Sequence, residues 1–262
     1  MAFFVTRMHL FFTKYQGTGN DFILIDNREN VFPGDIETIK KLTDRKFGIG
    51  ADGLILIEKD SLTDFRMVYY NADGSQSLCG NGSRCAVDFA RSLGLISAKT
   101  TFETTDGIHQ AFFREERIYF QLHDVDKIEK ISEQEYFIDT GSPHHIRFVS
   151  SIEDTDVVTT GAEIRYSEKY PNGANINFVE KENGFIRVRT YERGVENETL
   201  SCGTGVTAAA LASALEGYSS PVNIKTTGGE LTVTFEQVSP SEFKNIYLAG
   251  PAQKVFEGKV EI

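Results

Sequence analysis

Two tetrapeptides in this 262-residue chain carry residue types suited to acid–base chemistry at carbon: Cys79-Gly80-Asn81-Gly82 and Cys202-Gly203-Thr204-Gly205. Each runs into a helical pattern. Cys85, Phe89 and Leu93 follow the first at i, i+4 and i+8, and the Ala-rich run from Val206 to Leu215 follows the second. A cysteine at a helix start meets free backbone N–H groups and the positive end of the helix dipole, which favour anions. A thiol ionises more readily there, and the flanking glycines let a carboxylate come close to the N–H groups. A matched pair suits one reaction in particular. Inverting an α-carbon takes a proton from one face and returns one to the other, so a thiolate and a thiol exchange roles between the two directions. The helix ends would hold the α-carboxylate and stabilise charge as the carbanion forms. One isolated cysteine would read as a small core residue at a tight turn; two in a repeated motif favour the chemical reading. Cys85, on the apolar face of its helix, is assigned to the core.

The elements that must position these groups also occur twice. Thr104-Thr105-Asp106-Gly107 recurs as Thr226-Thr227-Gly228-Gly229, and Ile118-Tyr119-Phe120 has a counterpart in Ile246-Tyr247-Leu248, in the same order and at a near-constant offset. Asp-Gly and Gly-Gly are hairpin-turn dipeptides. Strands are expected over Phe22–Asp26, Leu54–Glu58 and Phe65–Tyr70, and, from period-2 alternation, over Ile186–Arg189 and Leu231–Phe235. A further helix is expected from an Asp35 N-cap, with Ile36, Ile39 and Leu42 on one face. The fold class is therefore α+β, with two pseudo-symmetric lobes of mostly antiparallel strands around one Cys-Gly-headed helix and a cleft between them. The polar stretch Asp124–Glu135 is the expected lobe boundary.

Composition narrows the partners. There are 27 Lys and Arg against 38 Asp and Glu, a formal net charge of −11, with no basic block to follow a phosphate backbone. Neither nucleic acid nor an anionic membrane is an expected partner, and no apolar run reaches the ~20 residues of a spanning helix. Three cysteines without a CxxC pair make neither a disulfide framework nor a zinc site, which points to a reducing cytoplasm. The start of the chain is too short in apolar residues for a targeting peptide.

With these residues in view the chain closely resembles the diaminopimelate epimerases, pyridoxal-independent enzymes that interconvert LL- and meso-diaminopimelate for lysine and peptidoglycan synthesis. The resemblance runs from Lys14 to Ile262. It is carried by Gly17-Thr18-Gly19-Asn20-Asp21-Phe22, Gly48-Ile49-Gly50-Ala51-Asp52-Gly53, Asn71-Ala72-Asp73-Gly74-Ser75 and Cys79 to Cys85, then by Gly141-Ser142-Pro143-His144, Tyr191-Glu192-Arg193-Gly194 and Cys202 to Gly205. It implies Cys79 and Cys202 as the acid–base pair, with His144 and Glu192 as polar partners that orient substrate and assist the thiols. Asn20, Asn71, Asn175 and Arg193 are implied as substrate ligands, and the N–H groups of Gly80-Asn81 and Gly203-Thr204 as carboxylate cradles. Arg193 has the fork shape that a second substrate carboxylate calls for. The organisation that follows is an N-terminal lobe over residues 1–125, completed by a strand at 253–262, and a C-terminal lobe over 126–252. Each lobe is a barrel-like sheet wrapped around its helix, with the active site in the cleft. A homodimer is implied, and neither cofactor nor metal is expected.

The chain departs from the family pattern at Ser142, where many relatives carry Asn, and in the lengths of the runs from Asn71 to Cys79 and from Glu192 to Cys202. The family motif begins near Met8, so residues 1–7 are expected to be an extension from an upstream start codon, which mass spectrometry of the native protein would check. The glycines of Gly48–Gly53 match a dinucleotide fingerprint, but a helix is expected before them and a strand after them, the reverse of what that fingerprint requires. His144-His145 lacks a third ligand at metal-binding spacing. Three other functions are compatible with parts of the pattern. One is a proline or hydroxyproline racemase or epimerase on the same fold, which would leave the Tyr191-Glu192-Arg193 run and the asparagines without purpose. Another is a cysteine hydrolase, which needs one thiol and leaves the duplication unexplained. The last is a non-catalytic amino-acid binding protein.

Overall fold

The computed structural model describes residues 9–262, so the expectation about residues 1–7 lies outside the described residues. The chain packs into two units. One extends through Phe112 and takes back Ala252–Ile262; the other is Phe113–Pro251.

The first unit opens with a hairpin, β1 (His9–Gly17) and β2 (Asn20–Asp26), followed by α1 (Ile36–Thr43). Next come β3 (Gly53–Glu58), parallel to β2, and β4 (Phe65–Asn71), antiparallel to β3. Helix α2 (Gly80–Ser92) leads to β5 (Lys99–Thr104), parallel to β4, and β5 turns into the antiparallel β6 (Gly107–Arg114). The second unit contains β7 (Arg117–Gln121), β8 (Ile128–Lys130), β9 (Glu135–Asp139), β10 (Pro143–Val149), α3 (Val157–Arg165), β11 (Asn175–Glu182), β12 (Phe185–Glu192) and β13 (Asn197–Thr199). It ends with α4 (Gly203–Leu215), β14 (Val222–Thr226), β15 (Gly229–Ser239) and β16 (Glu242–Gly250). The last strand, β17 (Gln253–Glu261), pairs antiparallel with β1 in the first unit.

The duplication extends to connectivity. In the first unit the pairs β1–β2, β2–β3, β3–β4, β4–β5 and β5–β6 run antiparallel, parallel, antiparallel, parallel, antiparallel. In the second unit β9–β10, β10–β11, β11–β12, β12–β14 and β14–β15 repeat that series. Helices α1 and α3 fill corresponding connections, as do α2 and α4. The two repeated turns match as well. Thr104 Oγ1 donates to the Gly107 carbonyl across one, and Thr226 Oγ1 to the Gly229 carbonyl across the other. The repeated tripeptides lie on β7 and β16, which pair with each other.

Helix α2 packs on β1 to β4, and α4 on β9 to β12 and β14 to β16. Every residue of α4 from Gly203 to Ser213 is buried, as an apolar surface on all sides requires. Strands β2 and β3 are covered on both faces. Ile23, Ile25, Leu54 and Leu56 join Ile39 and Leu42 of α1 in one cluster, while Phe22, Leu24, Ile55 and Ile57 are equally buried. Burial contributes about 1.5–3 kcal/mol for such a side chain, more than the spread of β-propensities of about 1 kcal/mol, so the continuous apolar runs become interior strands.

The Asp35 carboxylate caps α1 by accepting from the Thr38 N–H, but of the three apolar residues assigned to one face Ile36 is 50 % exposed. It is the first residue of α1, directly after the cap, while Ile39 and Leu42, one and two turns on, are buried. The polar stretch read as a lobe boundary is built into the second unit: the Val125 and Phe243 backbones exchange hydrogen bonds and β8 pairs with β9. The change of unit falls earlier, at Phe112, because β7 is held by β16. Gly48–Gly53 follows α1 and runs into the first residue of β3, in the order that excludes a dinucleotide turn.

Candidate active site

In the first unit Cys79 is the N-cap of α2, with φ −133° and ψ 108°, and its Sγ accepts from the Gly82 N–H at 3.4 Å. The thiol lies 3.6 Å from Asn20 Oδ1, which also receives Asn81 Nδ2 at 3.4 Å. Asn20 opens β2 directly after a two-residue turn in which Thr18 and Gly19 both take positive φ, the pattern of a type I′ hairpin. Its amide has one orientation, because Nδ2 donates to the Asp52 carboxylate at 2.7 Å and leaves Oδ1 facing the thiol. Asp52 shares Arg45 with Asp21. Burial pushes the Asp21 carboxyl up, but hydrogen bonds from Arg45 and Lys14 outweigh it and hold the group well below the usual carboxylate range. The Asn81 carboxamide oxygen accepts from fully buried Arg84 at 2.9 Å. Asn71 braces the loop leading to Cys79: it accepts from Tyr69 and donates to Ser75 and Ser77.

In the second unit Cys202 is the N-cap of α4 with nearly the same backbone, φ −114° and ψ 112°. Its Sγ lies 3.6 Å from Thr204 Oγ1, and the Thr204 carbonyl accepts from Thr140. His144 is the second residue of β10 and is fully buried. Burial, then the charge of Arg193, pushes its pKa down to about 3, so the ring is neutral in ordinary buffers. Its Nδ1 is 3.1 Å from Asn177 Nδ2, and Asn177 Oδ1 accepts from Thr190 at 2.9 Å. Glu192 ends β12 and accepts from Thr199 Oγ1 at 2.7 Å across the β12–β13 hairpin. Asn175 works inside the protein: its Oδ1 receives the Arg193 N–H at 2.9 Å, and its Nδ2 donates to Ser142 Oγ and the Pro143 carbonyl. The hydroxyl at the departure from the family pattern is thus an acceptor for Asn175. Arg193 is exposed, and its guanidinium reaches the Asn172 carbonyl.

Each unit therefore gathers its own part of the expected set. Cys79, Asn20 and Asn81 touch in one; His144, Asn175 and Arg193 are linked through Asn177 and Ser142 in the other, with Glu192 held by Thr199. Gly80-Asn81 and Gly203-Thr204 form the first helical turns, whose N–H groups have no carbonyl within their own helix. His145, on the opposite face of β10, pairs with Tyr170 at 2.8 Å and is structural. Burial pushes its pKa down to about 4 against the opposing pull of Glu135. Cys85 is fully buried, which pushes its thiol pKa up. A cavity of about 780 Å³ lies behind β13, lined by Glu153, Arg187, Arg189, Glu198 and Lys225, with neither cysteine in its wall. Its arginines are already paired with Glu153 and Glu198.

Asp52, Asn177 and Thr199 are residues that the sequence reading passed over. Asp52 stands inside a motif read for its glycines, and Thr199 acts through a hairpin register. Asn177 had a signal, since Asn175 and Asn177 at i and i+2 share one face of β11.

The model of the diaminopimelate epimerase family matches residues 12–122 and 136–255. The chain belongs to this family. Relatives within it include the diaminopimelate epimerase of Flavobacterium psychrophilum, 53% identical over 93% of this chain and 97% of that protein. That of Chlorobaculum tepidum is 42% identical over 94% of this chain and 99% of the relative. Solved structures share the fold at low identity. A Bacillus anthracis phenazine biosynthesis protein of the PhzF family aligns with a TM-score of 0.74 at 17% identity, over 97% of this chain and 99% of the other. A hydroxyproline epimerase from Agrobacterium vitis aligns with 0.71 at 14% identity, over 97% and 93%. As in the other diaminopimelate epimerases, the enzyme class is isomerase.

Proposed function

We propose that this protein interconverts LL- and meso-2,6-diaminopimelate without pyridoxal, using Cys79 and Cys202 as a thiolate and thiol pair. The observation that carries the reading is the presence of a cysteine N-cap, in the same backbone conformation, on each of two equivalent helices within a duplicated connectivity. One thiolate takes the α-proton as the other thiol delivers a proton to the opposite face; the reverse reaction exchanges the roles. The N–H groups of Gly80-Asn81 and Gly203-Thr204 take the α-carboxylate and the charge that develops beside it. Asn20, Asn71, Asn175, His144 and Glu192 order the polar surroundings, and Arg193 offers a fork to the distal carboxylate.

The expected setting is the cytoplasm, supported by three cysteines that form no disulfide with one another. No helix among the described residues is long and apolar enough to cross a membrane. A homodimer is the expected assembly, supported by exposed Phe11, Val255 and Phe256 on β1 and β17; light scattering checks it. The activity is tested by incubating reduced protein with LL-diaminopimelate in D₂O. Deuterium at one α-carbon together with meso product supports the proposal. Exchange into proline or hydroxyproline in its place would reassign the substrate, and binding without exchange would leave a binding protein.

A further inference from the structure

The hydrogen bonds around His144 specify which ring nitrogen carries its proton. Asn177 is fully buried. Its Nδ2 lies 3.2 Å from the His145 carbonyl and 3.4 Å from the Asn175 carbonyl, two groups that accept and never donate. The NH₂ end of the amide must therefore be the end that faces them, and that same NH₂ faces His144 Nδ1 at 3.1 Å. An amide NH₂ has no lone pair for a donor, so Nδ1 must accept. At the other end Oδ1 receives the Thr190 hydroxyl at 2.9 Å. An added Cβ on Gly205, in the first turn of the Cys202 helix, would meet Oδ1 at 2.3 Å, so the amide is also held by close packing there. The remaining ring nitrogen, Nε2, is buried and has no hydrogen-bond partner among the described residues.

We propose that Asn177 is a positioning residue that holds His144 as the Nε2–H tautomer, so that His144 serves the site as a neutral hydrogen-bond donor and not as a base. The proposal rests on the reading above that His144 belongs to the reaction site. It assigns Asn177 a role through His144, with Thr190 anchoring the amide. The depressed pKa of the ring agrees, since a ring that stays neutral has a single proton to place.

The test is the ring-nitrogen spectrum of intact protein labelled with ¹⁵N-histidine, the His144 signals being assigned with His144→Gln. The expected result for the unsubstituted protein is a protonated Nε2 and a bare Nδ1; a proton on Nδ1 would overturn the proposal. In Asn177→Asp the carboxylate can only accept, so the proton is expected to move to Nδ1. Turnover, read at a pH where the spectra show one ring proton, should then fall about 10²-fold, with KM changed less than about threefold. A proton on Nδ1 with unchanged turnover would refute the donor role. Should Asn177→Asp not fold, Thr190→Val removes the anchor of the amide and is expected to admit the second tautomer; an unaltered spectrum there would refute the anchoring. These spectra need no substrate. A failure of the epimerase reading would appear separately, as normal spectra with no α-proton exchange.

Discussion

The starts of α2 and α4 share backbone and sequence pattern, yet their surroundings differ in kind. Cys79 is half-buried, and its thiol faces a carboxamide oxygen aligned by an ion network at the rim, Asp52 with Arg45 and Asp21. Cys202 is buried at the head of a helix enclosed on every side, with its thiol 3.6 Å from the Thr204 hydroxyl, in a unit that also carries a neutral histidine, His144, and the buried asparagines Asn175 and Asn177. Duplication preserved the N-cap backbone conformation, while the contacts of the two thiols differ: Cys79 Sγ accepts from the Gly82 N–H, and Cys202 makes no such capping bond. A helix start confers anion affinity on whatever occupies it; what distinguishes two such starts is the chemistry brought up to them.

The largest expected effect tests the equivalence itself. Cys79→Ala and Cys202→Ala should each lower turnover by about 10²–10⁴-fold or more, the range for loss of a positioned acid or base, while the remaining thiol continues to exchange an α-proton with D₂O. Near-normal inversion in either single variant would end the two-base assignment.

The third residues of the two helices sharpen the difference. A Cβ on Gly205 would collide with Asn177 Oδ1, whereas one on Gly82 would meet Ile55 Cδ1 at 3.2 Å and Met67 Cε at 3.5 Å, both side-chain ends able to shift. Gly205→Ala should cost about 1–3 kcal/mol by overpacking. Gly82→Ala should stay within about 1 kcal/mol of the parent, since helix propensity offsets the crowding. Equal losses in urea unfolding would show that the two helix starts are packed alike.

Acid should separate the units. His144 and His145 have folded pKa values depressed to about 3 and about 4, so between those values and the ordinary 6.5 the unfolded chain binds more protons than the folded one. Stability therefore rises with pH across that window and is lost as pH falls through it. In the first unit Asp21 is also depressed, but its contribution is present above the ordinary carboxylate pKa and is lost only as pH falls below it. Hydrogen exchange at pH 5.5 should show lost protection in β10 and β11 before β2 and β3; the opposite order would reverse this assignment.

The smallest effects come from the holders of the polar partners. Asp52→Ala frees the Asn20 amide and should lower kcat about tenfold, while Thr199→Val removes a neutral donor to Glu192 and should lower it about three- to fivefold, following the weaker hydrogen bond. A larger loss from Thr199→Val would make Glu192 the more sensitive partner.

Much of this was legible along the chain. The Asp35 cap, the runs that became β2, β3 and β4, and both Cys-Gly helix starts follow from short-range rules of capping, periodicity and turn chemistry. Helix α3 was not anticipated. It carries Gly161 in its middle, against Tyr191, and its register depends on a partner that lies 30 residues away. The polar run Asp124–Glu135 was misleading because a backbone bridge to Phe243 and the β8–β9 pairing hold it inside one unit.

By itself the sequence determined the duplication, the mixed strand and helix content, the two cysteines at helix N-termini and the family, because each of these is written in residue types at short or repeated spacing. The tertiary structure alone decided that Asp52 orients Asn20, that Asn175 is spent on Arg193 and Ser142, and that Asn177 faces Nδ1 of His144. Those are matters of which end of an amide meets which lone pair across strands, and a hydrogen bond's direction depends on geometry that no spacing along the chain encodes.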